Sequence, residues 1–314
     1  MTAYLIRRTL QAILTLVIVS IITFGLLHLI PGGLVRGLLG THATPTNVAL
    51  LSAQMGLNHP LIVQYLTWVG GFVHGDFGWD YANQQSVGSE IQGTLGQSAF
   101  IVGLSLVISI LMAIPIAVVQ ATRRNSMVDH GLTVLSFVLW GIPTFLIAFL
   151  MLDLFVDQLG WLPPSNEIAS FHDAITQPTA VLLPVICLAL TSFASYSRYL
   201  RSSILDELTQ EYVRTAIAKG ASRRRVLYGH VLRNAMIPMI TLIGLSLPAL
   251  VGGAVVIEEV FNIKGIGMLT TTAALNNNFG VTLAVTMLLA ALTVLGSLIA
   301  DLSYAALDPR VRLD

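Results

Sequence analysis

Apolar positions in this chain come in long unbroken runs, not in the stripes or alternations of a soluble fold. Six runs lie at Leu10 to Ile30, Phe100 to Gln120, Leu132 to Leu152, Val181 to Tyr196, Ile237 to Ile257 and Val281 to Ala300. An α-helix needs about 20 residues to cross the hydrocarbon core of a bilayer, and these runs have that scale. The fourth has the shortest apolar centre, although no charge falls between Asp173 and Arg198. Strands of a transmembrane barrel would alternate in shorter segments, so continuous runs predict helices. One soluble core cannot hide six apolar cylinders, and none of them shows the polar face of a surface helix. The pattern predicts an all-α polytopic membrane protein with six transmembrane helices and a single transmembrane domain over 1–314.

Two stretches between the runs carry structure of their own. The segment 31–95, between the first two spans, is too long for a simple turn. Within it, Ile62, Tyr65, Leu66, Val69, Phe72 and Val73 form an apolar stripe behind Pro60, which predicts a helix over Leu61 to Val73 lying on the membrane surface. The second stretch, 198–235, separates the fourth and fifth spans and is polar. Pro115, Pro143, Pro184 and Pro248 fall inside apolar runs and predict interruptions, which in membrane helices often line cavities. Trp140, beside Gly141 and Pro143, is a candidate wall residue of such a path, together with Pro143 and Pro248. Packed kinks are the plainer reading of each proline.

Composition agrees with a membrane location: the chain is 55% hydrophobic and 10% charged, with a mean hydropathy of +0.79. Arg7 and Arg8 ahead of an apolar run resemble the start of a secretory signal. That run is too long and no small-residue cleavage site follows, so a retained first span is expected. Cys187 is the only cysteine, which excludes an internal disulfide. With six spans, 14 of the 16 Lys and Arg residues fall in alternate connections and at the termini, while only Arg36 and Lys264 fall on the other side. The positive-inside rule then places both termini and 198–235 in the cytoplasm, and 31–95 outside.

The basic residues in 198–235 need only fix topology and touch anionic headgroups. Their arrangement predicts more. Asp206 to Lys219 contains no Pro or Gly and carries acids first and a base last, the order that suits a helix dipole. Gly220 can stop that helix with a left-handed turn, and Ser222 can cap a second helix from Arg223 to Asn234 that runs on toward the fifth span. Leu208, Tyr212, Ala216 and Lys219 share one face at helical spacing, and Ala218 and Ala221 keep the corner slim. A short helix with a narrow end suits a groove on a partner.

These residues resemble the cytoplasmic signature loop of ABC-importer permeases. YVRTAIAKG at Tyr212 to Gly220, followed by HVLRNAMIP at His230 to Pro238, is similar to the variant of the dipeptide, oligopeptide and nickel branch, with Ile217 where that branch usually has Arg. The general triplet of the wider family falls on Arg214, Thr215 and Ala216, of which Ala216 matches, as do Gly220 and Leu232 further on. HLIPGG at His28 to Gly33, GLNHPLIVQY, HGDFG, GIPTF at Gly141 to Phe145, EEVFNIKGIG at Glu258 to Gly267 and DPRVR at Asp308 to Arg312 resemble further motifs of the branch in order. Two depart from it: Gly33 stands where Asp is usual and Lys264 where Pro is usual.

The resemblance implies a type I ABC-importer permease fold and a subunit that moves dipeptides or oligopeptides delivered by an external binding protein. Nickel chelates, glutathione-like peptides and opines are alternative cargoes of the branch. It also implies a related second permease and two cytoplasmic ATPase subunits that bind the ATP and Mg, in a bacterial or archaeal plasma membrane. Glu211, Tyr212, Arg214, Thr215, Ala216, Lys219 and Gly220 would then form the helix that couples to an ATPase. The chain has no G-x-x-x-x-G-K-[ST] loop of its own, so neither an enzyme activity nor a cofactor is expected in it.

The main alternative is a carrier or channel driven by an ion gradient. Such a carrier usually has repeated halves and ionisable groups within its spans, and neither is evident here. Asp153 and Asp301 lie at span ends, where hydration suffices. The Asp76, Phe77, Gly78 tripeptide lacks the other kinase motifs. The seven histidines have no metal spacing, and Arg223 to Arg225 lack the net basic domain of a nucleic-acid binder.

Overall fold

Backbone groups in lipid must be satisfied within the segment that carries them, and the described parts of the apolar runs are accordingly almost wholly helical. The computed structural model describes residues 2–29, 34–39, 43–162, 168–246 and 255–307. Helix α1 (Thr2–His28) leads into α2 (Leu34–Leu39), α3 (Pro45–Gln54) and α4 (Leu61–Val73), then a hairpin of β1 (Trp79–Asp80) and β2 (Gln85–Ser86). The long α5 (Val87–Thr122) follows, then α6 (Met127–Gly141), α7 (Thr144–Leu152) with a π-helical extension Asp153–Gln158, and α8 (Phe171–Thr176). Helix α9 (Pro178–Leu208) precedes α10 (Glu211–Ala218) and α11 (Arg223–Val226). A π-helical turn Leu227–Val231 then joins α12 (Leu232–Ala235) and α13 (Ile237–Leu245). Helices α14 (Val255–Val260), α15 (Ile266–Leu275) and α16 (Phe279–Leu307) complete the order. Among the described residues five helices are long and apolar enough to span a membrane, and the bent pair of α6 and α7 makes a sixth. The protein is a polytopic all-α membrane protein.

The central pair is α5 against α9, the most extensive contact between elements. Every fourth residue of α5 from Ser105 is small: Ser105, Ser109, Ala113, Ala117 and Ala121, all buried. Lipid tails are as apolar as leucine, so helices in membranes associate by close packing, which such a stripe allows. Phe193, Leu200 and Ile204 of α9 belong to the buried cluster that contains these alanines, and the same cluster takes in Val213 of α10 and Val226 of α11. It sits at the end of the molecule that carries the 123–126 turn and the 209–222 connection, here termed the basic face. Two further clusters gather at the opposite face. One joins Ile101, Ile147, Val181 and Phe261; the other joins Val87, Ile91, Ile266 and Val281.

The prolines do not behave alike. Pro115 and Pro184 lie inside continuous helices, contrary to the interruptions expected there, because each removes only one hydrogen bond from a helix that the packing of α5 on α9 supports. Pro143 does break its helix: α6 and α7 meet at 98°. Ile142, forced away from helical geometry by the proline that follows, has ψ 128°, and Gly141 before it has low helix propensity. The expected continuous span Leu132 to Leu152 is therefore two helices. Pro248 lies outside the described residues.

The helix expected at Leu61 to Val73 forms with those bounds and packs on α1. Tyr65 and Ser20 share a hydrogen bond of 2.8 Å, while Phe24 packs against Tyr65 and Trp68. Its other side leaves Leu61, Ile62, Leu66 and Val73 exposed, as a helix on a membrane surface requires. The hairpin after it closes on Asp80, whose carboxylate accepts from the Ala82 and Asn83 backbone N–H groups and from Asn83 Nδ2. Burial works to raise the Asp80 carboxyl, but hydrogen bonds from Glu90, Asn83, Ala82 and Asn278 outweigh it and hold it below its ordinary value.

Candidate functional site

The connection between α9 and α13 is built from caps. The helix expected across Asp206 to Lys219 is interrupted: α9 runs to Leu208, where the Thr209 hydroxyl donates to the Asp206 carbonyl at 2.8 Å. Gln210 is extended, with ψ 151°, and starts α10 afresh. A threonine hydroxyl that competes for a helix carbonyl favours such an end, a local choice that an acid-to-base charge order does not reveal. Residues 198–208, placed in the connection by the apolar pattern alone, are the last turns of α9, so the connection proper is 209–222.

At its far end α10 closes with a full Schellman arrangement. The Gly220 N–H donates to the Ile217 carbonyl at 2.9 Å and the Ala221 N–H to the Ala216 carbonyl at 3.1 Å. Gly220 has φ +82°, the left-handed region, and a Cβ there would meet nothing within 4 Å. The glycine is thus required by backbone conformation and not by crowding. The Arg225 N–H then donates to the Ser222 hydroxyl at 3.3 Å, capping α11, from which the chain continues helically through α13.

This geometry divides the seven residues singled out on the loop. Val213 is buried, and Tyr212 and Ala216 are half-buried against the protein's own apolar cluster, beside Leu208 and Ala221. The Tyr212 hydroxyl also donates to the Glu207 carboxylate at 2.6 Å. Glu211, Arg214, Thr215 and Lys219 face outward with Ile217 and Ala218. The small side chain of Ala216 therefore lets α10 lie close on its own molecule, while Ala218 keeps the outward face slim. Ile217 is 53% exposed, an apolar residue held outward on an otherwise polar loop.

Of the candidate path residues within the described chain, Trp140 lies on α6 and Pro143 at the junction of α6 and α7. Trp140 projects from the last turn of α6, 60% exposed, and Pro143 sits exposed at the bend. Trp140 meets a residue that the apolar pattern assigned to the connection: the Arg198 guanidinium lies 5.1 Å from its ring centroid and 4.6 Å from that of Phe137. One turn further along α9, Arg201 makes two hydrogen bonds to the buried Asp129 carboxylate, at 2.8 and 2.7 Å. Arg198 also borders a groove of about 510 Å3 between α9 and α13, with Tyr196 and Ser246 sharing a hydrogen bond of 2.8 Å in its wall. The sequence signal was the pair of arginines one helical turn apart at the end of an apolar run.

A polar clamp that the sequence reading did not single out fixes the opposite face. Glu258 on α14 is buried and accepts from the Ser98 hydroxyl of α5 at 2.7 Å and from the Met268 N–H in the first turn of α15 at 3.0 Å. Ser98 in turn accepts from the Ile266 N–H at 2.8 Å. A carboxylate at a helix N-terminus meets both unsatisfied N–H groups and the positive end of the dipole. The backbone must come very close to allow this. A Cβ on Gly265 would collide with the Glu258 carboxyl and the Ser98 hydroxyl, and one on Gly267 would lie 2.8 Å from both Glu258 Oε2 and Val255 Cα. An acid followed by the Gly265, Ile266, Gly267 spacing is the trace this clamp leaves in the sequence. Among the described residues no group of His, Cys, Asp or Glu is arranged to hold a metal.

The sequence of this all-α membrane domain matches known transport components. Residues 105–313 match the family described as binding-protein-dependent transport system inner membrane component, and residues 1–118 match the corresponding N-terminal family. The chain belongs to this family of ABC-transporter permeases. It is 36% identical to the oligopeptide transport system permease protein AppB of Bacillus subtilis over 99% of both chains. It is 34% identical to a putative peptide permease protein of Brucella suis over 100% of both. A probable peptide ABC transporter permease protein of Sinorhizobium fredii is 33% identical, over 99% of this chain and 100% of that one.

Proposed function

We propose that this chain is one permease subunit of an ATP-driven importer of dipeptides or oligopeptides, working beside a related second permease and two ATPase subunits. The observation that carries this reading is the outward face of α10, presented between a break at Thr209 and Gln210 and a glycine corner, and continuous through α11 with the fifth span. The basic face is cytoplasmic and both termini lie on that side, because the Lys and Arg residues gather there. Arg214, Ile217, Ala218 and Lys219 enter a groove on one ATPase, which itself holds ATP and Mg. Tyr212, Val213 and Ala216 bind α10 to the permease, so that closure of the ATPase pair moves α9 and the fifth span as packed bodies. On the outer face an extracytoplasmic binding protein delivers the peptide.

Purified from its native host, the subunit is expected to bring two ATPases and a second permease with it. In proteoliposomes the complete complex should accumulate labelled peptide only when ATP and the binding protein are both supplied. A complex without an ATPase, or uptake driven by an imposed ion gradient with no ATP, would contradict this reading in favour of a secondary carrier.

A further inference from the structure

We propose that Arg198 holds the carboxylate terminus of the peptide on its way through the membrane, an inference that rests on the peptide-importer reading above. Direction is the first ground for it. Arg201 points to the start of α6, where it meets Asp129. Arg198, one turn earlier on α9, instead extends along α6 to Phe137 and Trp140. Those rings stand eight and eleven residues beyond Asp129, about 12 and 16 Å along the helix at 1.5 Å per residue. The guanidinium is thus drawn into the apolar zone, away from the headgroups to which a long basic side chain at a span end would ordinarily reach.

Satisfaction of its donors is the second ground. The two rings lie at cation–π distance from the guanidinium and offer its N–H groups no conventional acceptor, which leaves those donors for other partners. Nη1 is buried with no hydrogen-bond partner, and no carboxylate among the described residues pairs with Arg198. A cation kept in apolar surroundings without its anion is costly and in membrane proteins marks a pathway. The planar fork matches a carboxylate in a two-point contact.

The third ground is the groove. Its wall carries Ser195, Tyr199 and Ser202, whose hydroxyls can donate to and accept from a peptide backbone, beside the Tyr196 and Ser246 hydroxyls, whose hydrogens are already engaged. It lies between α9 and α13, the two elements that the 209–222 connection joins. A movement of α10 that separates or closes these helices changes the groove directly, so anion binding at Arg198 and docking at α10 act on one element. Every linear peptide has one carboxylate terminus whatever its side chains, so a single arginine suits a transporter of varied peptides.

The test compares a labelled tripeptide with its C-terminal amide, both applied directly to the purified full complex so that the binding protein plays no part in selection. The wild-type complex should bind the free acid about tenfold more tightly than the amide, the scale of one charge-assisted contact. Arg198→Gln should bring the acid down to the level of the amide and leave amide binding unchanged, with Arg198→Lys between. An equal loss for both peptides, with weakened association of the second permease, would mean that Arg198 serves the subunit interface and would overturn the proposal. So would an unchanged ratio in the variant, a ratio that vanishes in wild-type complex when anionic lipid is removed, or no binding of either form by a wild-type complex that still takes the peptide up. A wild-type complex that takes up no peptide at all fails the peptide reading itself.

Discussion

Gly220→Val should yield a complex that assembles and hydrolyses ATP while peptide uptake falls about tenfold. Valine at φ +82° brings its Cβ against the backbone, at about 1–2 kcal/mol even for an unbranched side chain. The chain escapes by moving φ to negative values. That breaks the paired bonds from Gly220 and Ala221 to Ile217 and Ala216 and lets α10 rotate against α11. Nothing lies within 4 Å of the new Cβ, so the loss is one of geometry and not of packing. About 1.4 kcal/mol against the docked geometry lowers its population tenfold, which sets the expected effect. Gly220→Asn should retain most uptake, since asparagine tolerates this region and the chain already places Asn125, Asn262 and Asn277 there. Parallel measurement of ATP hydrolysis and uptake in one preparation separates the outcomes. Full uptake by the valine variant would show that the corner transmits nothing.

Gly267→Val should be worse for the protein as a whole. Its Cβ would press on Val255 Cα, which is backbone and cannot swing aside, and on Glu258 Oε2. Overpacking of a buried site costs about 1–3 kcal/mol. Displacing the Glu258 carboxylate also removes acceptors from the Ser98 hydroxyl and the Met268 N–H, at about 1–3 kcal/mol for each buried donor left unpaired. The sum approaches the whole stability of an ordinary domain. The expected result is a large loss of monodisperse permease after detergent extraction, measured by size-exclusion chromatography with thermal unfolding of what remains. A variant that extracts and melts like wild type would mean that α14 and α15 are not clamped in this way.

How much of this could be read from the chain depends on how local each cause is. Helices follow from apolar runs because lipid leaves the backbone no other course, and the left-handed Gly220 and the Ser222 cap follow from two or three neighbouring residues. The helix Leu61–Val73 was legible to the residue because a proline starts it and glycines with a histidine follow its end. Pro143 shows the limit. Pro115 and Pro184 carry the same chemistry, yet only Pro143, preceded by Gly141 and Ile142, turns its helix through 98°. Gly141 weakens that helix locally, whereas α5 and α9 pack extensively on each other, and no window of sequence holds that second cause.

The same holds for the loop and the path. Its position and corner were legible; which face of α10 turns inward was not, since Tyr212, Val213 and Ala216 are told from Arg214 and Ile217 only by the cluster beneath them. Arg198 looked like one more basic residue of a connection, because the rings that draw its guanidinium outward along α6 are some sixty positions away in the chain. Glu258 was quoted for family likeness, and its role emerges only when Ser98, 160 residues away, is placed beside it.

The account turns on the outward face of α10 meeting an ATPase. Its most direct test is a short photo-crosslinker attached to Ile217→Cys in the assembled complex, where the native Cys187 is buried and competes little. The account predicts a product between permease and ATPase whose yield changes when ATP and vanadate close the ATPase pair. Products with lipid alone, or with the binding protein supplied from outside, would contradict it.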